Sequence, residues 1–221
     1  MKNGITLLAA LLITTVAIAQ KTSVKESNET IGGASHNALV VTIYDAKPDD
    51  IEKAWKSKMK SYDAKVSSKK DIFADNALIK EMGGNDPIDI YARIEKVSDT
   101  ESKLIVGFDL GGAWLNSKDH AEKYKVAEKI VREFALSMTK EAVADIRKVA
   151  QKKLDNLKDD QASLEKKNKD LKADIESYKE KIKKAEEDIK TNENDQAKKK
   201  AEVEAAQKAL DEVLAREAKI D

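Results

Sequence analysis

Cysteine is absent from the 221 residues, which excludes disulfide frameworks, thiol catalysis, Cys-ligated zinc and lipidation at a mature N-terminal cysteine. Proline occurs twice and glycine eight times, and neither occurs between Ala121 and Ile220. A stretch that long without helix breakers, dominated by Ala, Glu, Lys, Leu and Gln, reads as helix. Aromatic residues make up only 5%, and both tryptophans and two of the three phenylalanines precede residue 115. The hydrophobic core therefore belongs to the first half. Nor is there an excess of charge of one sign: Lys plus Arg and Asp plus Glu are both 41. No global field draws the chain to nucleic acid or to an anionic membrane.

One long hydrophobic run is present, at the start. Lys2 precedes the apolar residues Ile5 to Val16, followed by the small residues of Ala17-Ile18-Ala19. This is the pattern of a cleavable export signal over residues 1–19, leaving Gln20 first. The run is shorter than the ~20 residues of a membrane-spanning helix, so no stable membrane insertion is expected after cleavage. A periplasmic or secreted protein is the expectation. Residues 20–37 are polar and lack apolar periodicity, the composition of a flexible tether.

Residues 38–140 read as an α+β globular domain. Leu39 to Tyr44 is a β-branched and aromatic run of strand length. Pro48, Asp49 and Asp50 suit the first turn of a helix, where a missing N–H costs nothing and negative charge meets the positive end of the dipole. Ile51, Trp55, Met59 and Tyr62 follow at helical spacing. Strands are predicted at Val66 to Phe73, Ala77 to Met82 and Ile88 to Val97, the last preceded by the turn Gly83 to Pro87. In the last of these, Ile88, Ile90, Ala92 and Ile94 share one face, and Asp89, Tyr91, Arg93 and Glu95 the other. Leu104, Val106, Phe108 and Leu110 repeat the alternation after a polar turn, which predicts an antiparallel hairpin.

Gly111-Gly112 ends that hairpin. Asn116, Ser117 or Asp119 can then cap a helix whose apolar stripe is Tyr124, Ala127, Val131, Phe134 and Met138. The order β-α-β-β-β-β-α gives a small antiparallel sheet with two helices on one face. Its topology resembles the two-layer sandwiches called TBP-like or helix-grip, a resemblance that implies no function.

The second helix is predicted to extend into a coiled-coil arm over residues 141–221. With Leu154 at heptad position a, Leu154, Ile175, Ile182 and Ile189 fall at a, while Leu157, Leu164, Leu171 and Tyr178 fall at d. The seam turns polar at Asn192, Gln196 and Lys199. A parallel dimer would oppose Lys153 to Lys158, Asp160 to Glu165, Lys167 to Lys172 and Asp188 to Glu193, so charge does not favour it. Folding back near residue 194 instead aligns Ala185 with Val203, Ile182 with Ala206, Tyr178 with Leu210 and Ile175 with Val213. Two forms compete, a continuous rod pairing with another chain and a helical hairpin turning at 191–196, and the hairpin is the favoured one. The candidate partner interface is Leu154, Leu157, Leu164, Leu171, Ile175, Tyr178 and Ile182, engaged in self-association or binding to a protein partner.

Sites of chemistry are sparse. His36 falls in the tether and His120 in the first turn of a helix, neither with metal-ligand or catalytic spacing, and HExxH, GxSxG, GxGxxG and P-loop patterns are missing. Trp114, beside a Gly-Gly turn, and Tyr91, on a wet sheet face, can form a ligand or protein contact, but Trp114 is expected to pack under the second helix, as aromatics are usually structural. No catalytic residue, cofactor or metal is expected. The function expected is a non-enzymatic exported binding or structural protein whose globular domain anchors while its arm associates. Two alternatives fit the same residues: a periplasmic holdase-like chaperone, and a small-ligand-binding protein with a pocket between helices and sheet.

Overall fold

Six strands form one antiparallel sheet in the order β1-β2-β6-β5-β4-β3, in a computed structural model that describes residues 22–217. The export signal expected at 1–19 lies outside the described residues. The elements are β1 (Val24–Ile31), β2 (Ala34–Tyr44), α1 (Pro48–Lys60), β3 (Lys65–Ser68), β4 (Ile72–Ala77), α2 (Lys80–Gly83), β5 (Ile88–Lys96), β6 (Glu101–Asp109) and α3 (Ala121–Glu217). The fold is α+β, as the alternation of strand and helix patterns predicts. The chain divides between Ala150 and Gln151 into two units, ten residues beyond the boundary expected from sequence.

In the first unit, one face of the sheet is covered by α1 and the first turns of α3. Leu39, Val41 and Ile43 of β2, Ile90 and Ala92 of β5, and Leu104, Val106 and Phe108 of β6 are buried there, against Ile51, Trp55 and Met59 of α1. Ala127, Val131, Phe134 and Ala135 of α3 complete this core, with Trp55 and Phe134 meeting edge to face at 4.9 Å. The layer between helices and sheet is thus filled by side chains. α1 begins as predicted, with Pro48 in its first turn followed by Asp49 and Asp50, and Lys58 and Lys60 at its negative end. The hairpin of β5 and β6 has the predicted faces, with Ile90 opposite Phe108 and Ile94 opposite Leu104.

The described part of the expected tether, residues 22–37, is not a tether. From Val24 onward they form β1 and the start of β2, paired from Val24 with Val41 to Ile31 with Ala34. Gly32 and Gly33, at φ 64° and 94°, make the two-residue loop between them, the backbone that right-twisted hairpins require and that only residues free of a Cβ adopt cheaply. The polar side chains that suggested disorder belong to an edge strand. The strand predicted at Val66 to Phe73 is two strands, β3 and β4, turned at Lys69 to Asp71, where the Lys69 N–H donates to the Asp71 carbonyl. Ala77 ends β4, and the rest of the strand predicted from Ala77 to Met82 is mostly the short helix α2.

Glu26 ties β1 to the loop before α3, accepting hydrogen bonds from the Asn37 amide at 2.7 Å and the Ser117 N–H at 2.9 Å. Desolvation works to raise its pKa, but the hydrogen bonds from Ser117 and Asn37 outweigh it, and the net shift is below the usual 4.5. A carboxylate depressed in the folded state stabilises fully above its unfolded pKa, and that contribution vanishes as pH falls through the folded value. Acid titration below pH 4.5 is therefore expected to destabilise the wild-type chain more than Glu26→Gln, measured as the change in urea midpoint with pH.

In the second unit, Gln151 to Glu217 is helical without interruption. The helical hairpin is not formed: residues 191–196 continue the helix. No Gly or Pro breaks it, and its polar groups find partners within the helix, Thr191 Oγ1 donating to the Glu187 carbonyl and Gln196 Nε2 to Asn192 Oδ1. At ~1.5 Å per residue this stretch extends roughly 100 Å.

Candidate interaction surfaces

Two surfaces stand out. The first is the sheet face turned away from the helices. Phe73 of β4, Tyr91 of β5 and Gly107 of β6 are direct cross-strand neighbours there. After β6 the chain reverses through Gly111 and Gly112, and Trp114 pairs with Asp109. Leu115 enters the helix-side core with no exposure, so alternation sends Trp114 to the opposite face. Trp114 is therefore not under the second helix. Its ring packs at Gly107, where an added Cβ would come 2.6 Å from Trp114 Cζ3. His36 stacks on it at 3.8 Å, nearly parallel, and Tyr91 and Phe73 continue the row with centroid separations of 5.4 and 4.7 Å.

The end of the β1–β2 hairpin closes over this row. The Gly32 N–H donates to Asp71 Oδ2 at 3.0 Å, and Arg93 donates to the Thr30 carbonyl while pairing with Glu95. Ile31, Ala38 and Ile105 are buried beneath, with Val40, Tyr91 and Trp114 packed against them. This is a second, small core on the face that alternation alone assigns to water. His36 belongs to it rather than to a tether.

Beside the row, Asp89 lies opposite Asp109 across the β5–β6 pair. Burial first, then the charges of Asp89, Asp109 and Asp75, push the Tyr91 phenol up. These carboxylates fix turns. Asp89 Oδ1 accepts the Asn76 N–H at 3.0 Å, and Asp109 Oδ1 accepts those of Gly111 and Gly112 at 3.0 and 3.3 Å. Among the described residues, no group of three His, Cys, Asp or Glu is placed to hold a metal ion. His120, just before α3, is partly buried with Nδ1 unpaired.

The second surface is the arm. All seven residues of the expected interface lie on the continuous helix and all are exposed, from 47% at Leu154 to 68% at Leu164. Ile189, Val203, Leu210 and Val213, further along the same heptad series, are also exposed. Their 3.5-residue repeat, read from the sequence, sets them on one stripe of the helix whether or not it turns back. The outer aromatic row is legible only in part: alternation puts Tyr91 on that face, while the Gly-Gly pairs at 32–33 and 111–112 are the sole hint of the turns that bring His36 and Trp114 to it.

Among the described residues no helix is long and apolar enough to cross a membrane. No protein-family model, curated protein or solved structure matches this chain.

Proposed function

We propose that this chain is a non-enzymatic, exported binding or structural protein whose helical arm is an association element. One observation carries the reading: from Leu154 to Val213 the arm presents a heptad-spaced apolar seam that its own helix leaves uncovered. An isolated helix derives little stability from propensity, and a long one is held chiefly by burying its apolar stripe. Exposed apolar surface repeated along such a length marks an interface. Ion pairs along the surface, such as Lys179 with Glu176 and Lys198 with Asp195, add only a few tenths of a kcal/mol each.

The test uses the full chain and a variant carrying Leu157→Glu, Leu171→Glu and Ile175→Glu. These side chains are exposed, and none of them belongs to the globular core. Light scattering should find the wild type associated at micromolar concentration and the variant monomeric, with a concentration-dependent helical signal in circular dichroism only for the wild type. A monomeric wild type, or a variant that associates equally well, overturns the reading.

A further inference from the structure

Resting on the associating-arm reading, we infer that the arm's occupant is a second copy of itself, antiparallel, in the register that sets Leu157 against Leu210. In an antiparallel coiled coil each a residue packs on a d residue of the other helix, so the residue numbers of every core pair share one sum. The chosen register covers the second unit from end to end. Leu154 meets Val213, Leu164 meets Val203, Tyr178 meets Ile189, and Ile182 meets Ala185 across the centre. Asn168 meets Lys199, one polar interruption of the seam on another, while Gln196 and Asn192 fall on Leu171 and Ile175.

Charge selects this register. Antiparallel packing brings e residues against e residues and g against g. The e rows give Glu165 with Lys200, Lys172 with Glu193 and Lys179 with Glu186, all attractive. The g rows give Lys167 with Glu202 and Lys181 with Asp188, also attractive. Lys153 with Arg216 and Asp174 with Asp195 repel. Two-fold symmetry repeats every one of these pairs.

Slipping by one heptad toward the N-terminus keeps a good core, with Asn168 on Asn192 and Leu157 on Val203, but ruins the flanks. Lys158 then faces Lys200, Glu165 faces Glu193, Asp174 faces Asp188, and Lys179 and Lys181 each face their own copies. Slipping the other way moves Lys199 from Asn168 onto Ile175, leaves Asn192 and Gln196 on the apolar Ile182 and Tyr178, and sets Lys172 against Lys200. The parallel arrangement carries the repulsions already described. Like charges held opposite one another select against a register as much as attractive pairs select for one. The chain's own sequence thus supplies the complement to its exposed seam.

The absence of native cysteine makes the test clean. Full-length Leu157→Cys and Leu210→Cys chains, one of them isotopically heavy, are mixed, allowed to exchange and oxidised, and the products are counted by mass spectrometry. A disulfide needs Cβ atoms ~3.5–4.5 Å apart, so the mixed 157–210 product should exceed either self-linked product by ~10-fold or more. Leu157→Cys with Val203→Cys, and Leu164→Cys with Leu210→Cys, report the two slipped registers and should give little mixed product.

Predominant self-linking of Leu157→Cys and of Leu210→Cys would show a parallel pair and overturn the orientation. A dominant 157–203 or 164–210 bond would overturn the register. Either result leaves the arm an association element. A wild type that is monomeric in light scattering removes that reading, and this proposal with it.

Discussion

Trp55→Ala is expected to destabilise the globular unit by ~3–5 kcal/mol, the range for truncating a large buried aromatic. Trp55 has no exposed surface, lies on the buried stripe of α1 between Ile51 and Met59, and packs edge to face on Phe134 of α3. Truncation opens a cavity where helix and sheet layers meet, bounded by residues of three elements that cannot all move inward. The measurement is a urea titration followed by near-ultraviolet circular dichroism, which responds to packing in this unit. Trp55→Phe is the informative companion. The Trp55 indole N–H is buried with no hydrogen-bond partner, and an unsatisfied buried donor costs ~1–3 kcal/mol. Phenylalanine keeps most of the apolar contact and removes that donor, so its loss should be well below that of alanine. Equal losses in the two variants would mean that packing against Phe134 does not set the stability of this layer.

Gly107→Val is expected to cost ~1–3 kcal/mol through overpacking. A Cβ at this position comes 2.6 Å from Trp114 and 3.2 Å from Ile31, and valine adds two further methyl groups. Trp114 is held on its other sides by His36 and Tyr91 and cannot slide within the row without breaking the stack. The ring must therefore leave the face, exposing Ile105 and Ile31. Tryptophan emission should shift to the red while Trp55 stays buried, and the same variant in a Trp114→Ala background should recover most of the loss. Failure of that recovery would show that the glycine is required for the β6 backbone itself rather than for the ring above it.

Much of the fold is legible in the sequence where local chemistry and long-range packing agree. The Pro48-Asp49-Asp50 start of α1, its Ile51, Trp55 and Met59 stripe, and the alternation of β5 and β6 each name one structure at both levels. Disagreement begins where a residue's partner is distant in sequence. β1 looks like solvent-exposed coil because an edge strand with one neighbour, β2, has few apolar positions to show; only Gly32-Gly33, read as a hairpin loop, gives it away. The expectation that Trp114 lies beneath α3 rests on aromatics being usually structural, yet burial of Leu115 in the main core fixes the parity and sends the indole to the other side. The fused strand at Val66 to Phe73 hid a turn because Lys69 and Lys70 carry no Gly or Pro signal. In the arm, the heptad positions follow from spacing alone, whereas the expected turn at 191–196 rested on a polar seam that the continuous helix accommodates through contacts one turn apart.

The two borders of the sheet bear on how copies of this protein can meet. β3 is four residues long, and β1 carries Lys25, Glu26 and Glu29 along its length. Short or charged outermost strands disfavour the addition of a seventh strand from a neighbouring molecule. Polymerisation by sheet extension is thereby discouraged, and the backbone hydrogen-bonding groups of the globular unit offer a second copy little to pair with.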